Sequence, residues 1–257
     1  MGHNLILIKL GGSVITFKEK PLAANFEAIN NISRMLASLK VPLVLVHGGG
    51  SFGHYLSTKY NMHTRPDQYD PHGISQVHES MIALNQIIVN SMIEVGMNPY
   101  AIMPSIFTVG HKPIAKKISE LQYIAENSII PITFGDIVHI KNRTYSIISG
   151  DSLMSILSKI LRPSKVIFVL NVDGIYKDMD KKEILKELNN NHNSINFSTV
   201  VQDVTGGMRR KVTEALKICG TGIDVLMVNG LKPERIVNAI TGTDFEGTML
   251  KGLRSRK

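Results

Sequence analysis

Two strand-sized apolar runs, each ending in a glycine turn, constrain this chain more than anything else in it. Leu5 to Leu10 is apolar apart from Lys9 and runs into Gly11-Gly12-Ser13. Val41 to Val46, interrupted only by Pro42, runs into His47-Gly48-Gly49-Gly50-Ser51-Phe52-Gly53-His54. Short continuous apolar runs of this kind read as parallel strands buried on both faces. Between them, Ala23 to Leu39 places Ile29, Ile32, Leu36 and Leu39 on one helical face. Strand, helix, strand then implies a right-handed parallel crossover. Consecutive glycines let backbone N–H groups approach a ligand that a Cβ would hold away. Ser51 reads as the N-cap of the next helix, so that loop can present donors to an anion. One such loop is compatible with a plain turn. Two of them this close together point to a split phosphate site, and His54 adds a side chain able to donate to a phosphate oxygen.

The remaining chain continues the alternation. Asn61 to His72 is polar, holds two prolines and reads as a mobile surface loop. Gly73 to Val95 is the longest periodic segment, with Ile74, Val77, Met81, Leu84, Ile88, Met92 and Val95 at helical spacing. Ile82, Ile87, Val89 and Ile93 make its other side apolar too, so it lies deep or meets an apolar ligand or a partner subunit. Ile137 to Ile148 reads as a hairpin around Lys141-Asn142-Arg143, and Asp151 to Leu161 as a helix behind Ser149-Gly150. Lys165 to Leu170 is a strand ending in Asn171-Val172-Asp173-Gly174, and residues 178–196 form a charged, exposed excursion. Met208 to Gly220 is helical behind Thr205-Gly206-Gly207, Ile223 to Val228 a strand, Pro233 to Ile240 a short helix and Thr243 to Leu250 a terminal strand. The fold expected is α/β, a three-layer sandwich with a mostly parallel central sheet. In such sheets ligands sit outside the carboxyl ends of the strands. Gly11-Gly12, Gly48 to Gly50, Gly150 and Gly174 all fall there, while Gly206-Gly207 stands at a helix N-terminus.

Composition narrows the function. Hydrophobic residues make up 43%, but no apolar run exceeds strand size, so no membrane span is expected. The chain enters a strand almost at once, which leaves no room for a signal peptide and implies a cytoplasmic protein. The single cysteine, Cys219, excludes an internal disulfide framework and a multi-cysteine zinc site, and reads as a small buried helix residue. Net charge is +8, yet Lys and Arg are spread along the chain, and only Lys251 to Lys257 form a dense, solvated run. Aromatics are 6% with no tryptophan and no interleaving with basic residues, so small phosphorylated ligands are expected rather than nucleic acid. There is no GxxxxGK[ST] loop and no HRD or DFG, which excludes P-loop enzymes and protein kinases. Ser51 and His54 share one turn, but no acid completes a hydrolase triad.

What remains is glycine loops with lysines. Lys9 stands inside an apolar strand directly before its turn, where the bland alternative is snorkelling from a sheet edge. Lys211 lies one turn into a helix behind Gly206-Gly207. Asp151 at a helix start is an N-cap if it stands alone, and an electrostatic organiser if it stands between the two lysines. Lys18 could reach the same phosphates from the stretch after the first loop.

Five stretches, in order and across nearly the whole chain, resemble the amino acid kinase superfamily. They are Lys9-Leu10-Gly11-Gly12-Ser13, His47-Gly48-Gly49-Gly50, Ser149-Gly150-Asp151, Asn171-Val172-Asp173-Gly174-Ile175-Tyr176 and Asp203-Val204-Thr205-Gly206-Gly207-Met208-x-x-Lys211. Gly50-Ser51-Phe52-Gly53-His54 resembles its isopentenyl phosphate kinase branch, with fosfomycin kinases sharing the histidine. Asn171 departs from the threonine or serine of many relatives. The resemblance implies ATP-dependent phosphorylation of isopentenyl phosphate to the diphosphate, in mevalonate-type isoprenoid synthesis. It also implies Mg2+ on the ATP phosphates without a protein metal motif, and a homodimer. A single domain over 1–257 is expected, with an acceptor lobe to about 162 and an ATP lobe from about 163. By the same resemblance Lys9, His54, Asp151 and Lys211 are catalytic. The ATP side takes Lys9, Gly11, Gly12, Ser13, Gly50, Asp173, Tyr176, Lys177, Gly207 and Lys211. The acceptor side takes Gly49, Gly53, His54 and Gly150, with Ile74, Val77 and Met81 along the alkyl tail. The chemistry is consistent with this, because a phosphate monoester is already anionic near neutral pH, its second pKa being about 6. It needs positioning and cations rather than a base. Fosfomycin, uridylate or acetylglutamate kinases, or a non-catalytic nucleotide sensor, are the other readings.

Overall fold

Side chains of the first apolar run alternate between two cores. Leu5 and Leu7 join one cluster, while Ile6, Ile8 and Leu10 join the other. Val44 and Val46 against Leu43 and Leu45 repeat the pattern, so each strand is covered on both faces. A strand's period of two makes this the required outcome once both faces are apolar. The computed structural model describes residues 4–178, 183–188, 206–243 and 245–253. Most of the expected excursion over 178–196 lies outside the described residues, as do Asp203, Val204, Thr205 and Arg254 to Lys257.

Strand β1 (Ile6–Leu10) leads through a one-turn helix α1 (Gly12–Ile15) to α2 (Phe26–Ala37) and β2 (Leu43–His47). Helices α3 (Gly50–Lys59) and α4 (Pro71–Glu94) follow, then β3 (Pro99–Ala101), α5 (Pro104–Phe107) and a small ribbon of β4 (Thr108–Val109) and β5 (Lys112–Pro113). Next come α6 (Ala115–Glu126), β6 (Ile130–Phe134) and a hairpin of β7 (Asp136–His139) and β8 (Tyr145–Ile148) that delivers α7 (Gly150–Leu161). The second half adds β9 (Lys165–Leu170), β10 (Tyr176–Asp178), β11 (Glu183–Ile184), β12 (Glu187–Leu188), α8 (Gly206–Cys219), β13 (Val225–Asn229), α9 (Glu234–Thr241) and β14 (Gly247–Leu250).

The central sheet has 8 strands in the order β12-β14-β13-β9-β1-β2-β6-β3. Every neighbouring pair is parallel except β13 and β14. Helices α6, α7 and α8 cover one face through Ile118, Leu121, Leu153, Leu157, Val212 and Ile218. Helices α2, α4 and α9 cover the other through Ile29, Ile32, Leu84, Ile88 and Ile236. This is the three-layer α/β sandwich the sequence predicts. The proposed division near residue 162 falls between α7 and β9, and in space the two parts meet along the β1–β9 ladder. No described helix is long and apolar enough to cross a membrane.

Two readings change. Helix α4 starts earlier than Gly73, because Asp70 accepts from Gly73 N at 3.0 Å and Pro71 occupies the first turn. That is the standard cap-plus-proline start. The polar stretch before it is not a free loop. Asp67 and Tyr145 exchange two backbone hydrogen bonds, 2.9 and 2.8 Å, and Ile147 N donates to His63 O at 3.0 Å. The exposed edge of the hairpin thus supplies the backbone partners that polar composition alone does not reveal. A small cluster of Leu56, Met62, Val77 and Ile137 fills the space beneath, and the buried Asp136 accepts from His78 Nδ1 at 2.7 Å to join α4 to the hairpin.

Candidate functional site

The two glycine loops interlock. They leave adjacent parallel strands, β1 and β2, and meet backbone to backbone. A Cβ on Gly12 would stand 2.6 Å from Gly50 Cα and closer still to its nitrogen. Gly50 itself has φ +49, the left-handed region glycine tolerates best. Thr16, which sequence reasoning passed over, ties the pair together. Its Oγ1 donates to Gly12 O at 2.7 Å and accepts from Ser51 N at 2.9 Å. Ser51 is therefore not the N-cap expected. Helix α3 begins at Gly50 with Gly49 in the cap position, and Ser51 is buried, its Oγ accepting from Ala23 N at 3.2 Å. Ser13 Oγ donates to Asn171 Oδ1 at 3.0 Å, so the asparagine that departs from the family pattern anchors the first loop to the end of β9.

Glycines Gly48 to Gly53 also satisfy the spacing of a dinucleotide fingerprint and of a nucleophile elbow. A dinucleotide site needs a strand–helix–strand unit whose strands are neighbours. The strand after α3 is β3, which pairs with β6 and not with β2. An elbow needs an exposed nucleophile, and Ser51 is buried in the helix.

Lys9 is the buried cation of the site. It lies on β1 between β9 and β2, so edge snorkelling is excluded, and it is 3% exposed. Its position in the alternation turns it toward the face that α7 covers. There its Nζ stands 2.9 Å from Asp151 Oδ1. Asp151 is free for that role because Ser149, not Asp151, caps α7, its Oγ accepting from Ser152 N at 3.1 Å. The other oxygen, Oδ2, accepts from Arg210 Nε at 3.3 Å, and Lys211 Nζ, which donates to Gly207 O, stands 3.9 Å from it as an ion pair. Burial alone would push the Asp151 carboxyl up, but Lys9, Lys211 and Arg210 outweigh it and hold it below the usual carboxylate value. One buried carboxylate shared among three cations leaves an excess of positive charge facing the crevice.

Lys211 pays for its place in this crowd with a weakened proton. Burial first, and then the charge of Lys9, bring its pKa down to about 8, with Asp151 opposing. A lowered lysine pKa means that the cation is lost earlier as pH rises. We expect free-enzyme kcat/KM to fall above about pH 8. In Lys211→Arg, whose guanidinium stays charged, the remaining activity should hold to higher pH. A parent profile that stays flat to about pH 9.5 would exclude Lys211 as a required cation.

His54 sits one turn into α3, at the crevice wall. Burial lowers its pKa, and Arg210, Lys211 and Lys18 lower it further against the opposing Asp151, a balance that favours the neutral ring with one N–H to donate. His47, fully buried, supports the loop from beneath. Its ring stacks on Phe134 at 5.2 Å, with Nδ1 3.1 Å from Gly48 O and Nε2 3.2 Å from Asn85 Oδ1. Burial brings its pKa down to about 4, so it too is neutral.

These groups line one crevice of about 1320 Å³ at the carboxyl ends of the strands. Lys9, Gly12, Ser13, Gly49, Gly50, Gly53, His54, Gly150, Asp151, Tyr176, Gly207 and Lys211 all face it, and so does Lys18. Toward the hairpin its lining includes the apolar side chains of Val77, Met81, Ile147 and Ile148, with the buried Asp136 beside them. Four of the expected residues stand outside the wall. Gly11 is spent on Val169 O, to which its N–H donates at 2.9 Å. Ile74 packs in the small cluster under the hairpin. Lys177 pairs with Glu183 at 3.3 Å on the surface. Asp173 accepts from Asn229 Nδ2, Lys232 and Arg235 at the ends of β9 and β13, and Arg235 reaches on to Glu246. Asn229 first, then Lys232 and Arg235, hold the Asp173 carboxyl below its usual value against the opposing effect of burial.

The chain belongs to the amino acid kinase family, whose model matches residues 4–229. Among named relatives, an isopentenyl phosphate kinase of Thermoplasma acidophilum is 31% identical, over 96% of this chain and 100% of that protein. An isopentenyl phosphate kinase of Methanothermobacter thermautotrophicus is 29% identical, over 96% of this chain and 99% of its own length. A crystal structure of the T. acidophilum enzyme in a product complex superposes with a TM-score of 0.80 at 28% identity, covering 96% of this chain and 100% of that one.

Proposed function

We infer that this chain is an ATP-dependent kinase that phosphorylates isopentenyl phosphate to isopentenyl diphosphate, acting in the cytoplasm in mevalonate-type isoprenoid synthesis. The observation that carries the reading is the commitment of Asp151. With three cations on it, the carboxylate is not available to take a proton from a hydroxyl acceptor. The acceptor must therefore arrive as an anion, which a phosphate monoester does. Identity with isopentenyl phosphate kinases over the full length of two relatives supports the same acceptor. The apolar wall of Val77, Met81, Ile147 and Ile148 suits a short hydrocarbon tail beside the phosphate. Lys9 and Lys211 balance the charge of the group in transfer. The loop of Gly12 and Ser13 holds the nucleotide phosphates, and that of Gly49, Gly53 and His54 the acceptor phosphate.

Mg2+ would supply charge neutralisation on the nucleotide. Among the described residues no cluster of His, Cys, Asp and Glu could hold a metal, and Asp151 is already taken. The ion would be held chiefly by the nucleotide's phosphate oxygens and water rather than by a dedicated protein cage. A homodimer is part of the same reading, and light scattering on the purified protein tests it.

ADP release, measured with isopentenyl phosphate, uridylate, fosfomycin, glutamate and acetylglutamate, tests the function. The highest kcat/KM is expected with isopentenyl phosphate, and comparable turnover of another acceptor, or none with any, would exclude the reading. In the same assay His54→Ala should raise the KM for isopentenyl phosphate by roughly 10-fold or more and leave the ATP KM nearly unchanged, the scale for one hydrogen bond to a charged group. His54→Gln should retain part of the affinity, because the neutral ring donates one hydrogen bond and an amide can replace it. Near-parent kinetics in His54→Ala would remove His54 from the acceptor site.

A further inference from the structure

One cation of the crevice is singled out neither by the spacing of the glycine loops nor by the family motif, in which Arg210 falls at an unspecified position. It lies one residue before Lys211 on the first turns of α8 and faces the same crevice as His54. Its Nε is anchored on Asp151 Oδ2 at 3.3 Å, yet its side chain is 42% exposed. Among the described residues no group engages Nη1 or Nη2, so the forked end of the guanidinium faces outward from a buried anchor. Asp151 is itself held from the other side by Lys9, so that anchor is rigid. Of the three cations that act on the His54 ring, Arg210 has the largest effect, ahead of Lys211 and Lys18.

We propose that Arg210 is a further substrate-binding residue of the transfer reaction, gripping the acceptor phosphate through its two Nη groups opposite His54. The inference rests on the functional reading above. Its chemistry is that of the guanidinium fork, which matches two phosphate oxygens at once where a lysine offers a point charge. The site then divides the work. Lys9 and Lys211 stay with the group in transfer, and Arg210 with His54 fixes the acceptor against the repulsion of the nucleotide's phosphates.

The test uses the full chain as parent, Arg210→Gln and Arg210→Lys. ADP release is followed with isopentenyl phosphate and ATP varied in turn, and isopentenyl phosphate is titrated calorimetrically into each protein without ATP. Arg210→Gln should raise both the KM and the Kd for isopentenyl phosphate by roughly 10- to 100-fold, the scale of a charge-assisted pair. Its ATP KM should stay within about threefold, which also reports that the protein is folded. Arg210→Lys should fall between, keeping the charge and losing the fork. An unchanged acceptor KM and Kd in Arg210→Gln overturns the proposal. So does a loss confined to kcat or to the ATP KM, which would make Arg210 only a support for Asp151. A parent that does not turn over isopentenyl phosphate overturns the functional reading itself, whereas an active parent with an indifferent Arg210→Gln overturns only the role of the arginine.

Discussion

Lys9→Ala is expected to lower kcat by at least about a hundredfold, the scale for removing one preorganised stabiliser of transition-state charge. Lys9 is 3% exposed, and its stem runs against Gly150, where an added Cβ would meet Cε at 3.0 Å. A charge held this way needs no rearrangement when the phosphoryl group moves. The variant also takes from Asp151 the cation nearest to it, leaving Arg210 and Lys211 to balance a buried carboxylate from greater distances. Lys9→Met keeps the apolar stem and removes only the charge, so it separates the loss of charge from the loss of packing. Both variants should lose the same order of kcat at saturating ATP and acceptor, with Lys211→Ala in the same range. Asp151→Asn should lose less, since its part is to place the cations. Lysine variants within a few fold of the parent would put the transfer site elsewhere.

Gly12→Ala is expected to cost about 3 kcal/mol of stability or more and to abolish ATP binding. The new methyl would run into the backbone of Gly50, which has no rotamer to escape by. Thr16 pins both sides of that contact, so neither loop can withdraw without losing a hydrogen bond. Gly207→Ala is the contrast within the same crevice. Among the described residues its Cβ would meet Lys211 Nζ alone, at 3.9 Å, and the urea midpoint should shift by less than about 0.5 kcal/mol equivalent. Equal midpoints for the two variants would show that the loops are not interlocked.

The strongly periodic parts of the fold were legible. Residues 5–10 and 41–46 announced β1 and β2 because each is buried on both faces, and α2, α4, α7 and α8 carried their apolar stripes openly. The stretch from β3 to β6 was not legible. β3 is a three-residue edge strand, half-buried to exposed, and α6 buries little beyond Ile118, Leu121 and Ala125, so neither imposes a clear period. At the site, the glycines and Lys9 could be found because glycines after strands and a lysine in an apolar run break the local pattern, and Asp151 and Lys211 because each stands near a helix start behind a glycine. Thr16, His47 and Asn85 could not, since a threonine, a buried histidine and a helix asparagine break none. Arg210 left one faint signal, the basic run Arg209-Arg210-Lys211 at a helix start. The cap on α7 stayed open for a physical reason as well. Ser149 and Asp151 are both good caps, and only the presence of Lys9 across the sheet decides which is spent on the backbone.

The two interlocked glycine loops grow from neighbouring strands, and neighbouring strands lie about 4.8 Å apart in every sheet. In the proposed reading one loop holds the donor and the other the acceptor. The span across which the phosphoryl group must travel is then inherited from the hydrogen-bond ladder between β1 and β2. The sheet acts as a ruler. Changes to lysines or to the hydrocarbon wall can alter how firmly each anion is held, but not how far apart they stand. A relative could thus exchange one acceptor for another by rebuilding the hairpin and α4, while its reaction distance stayed the same.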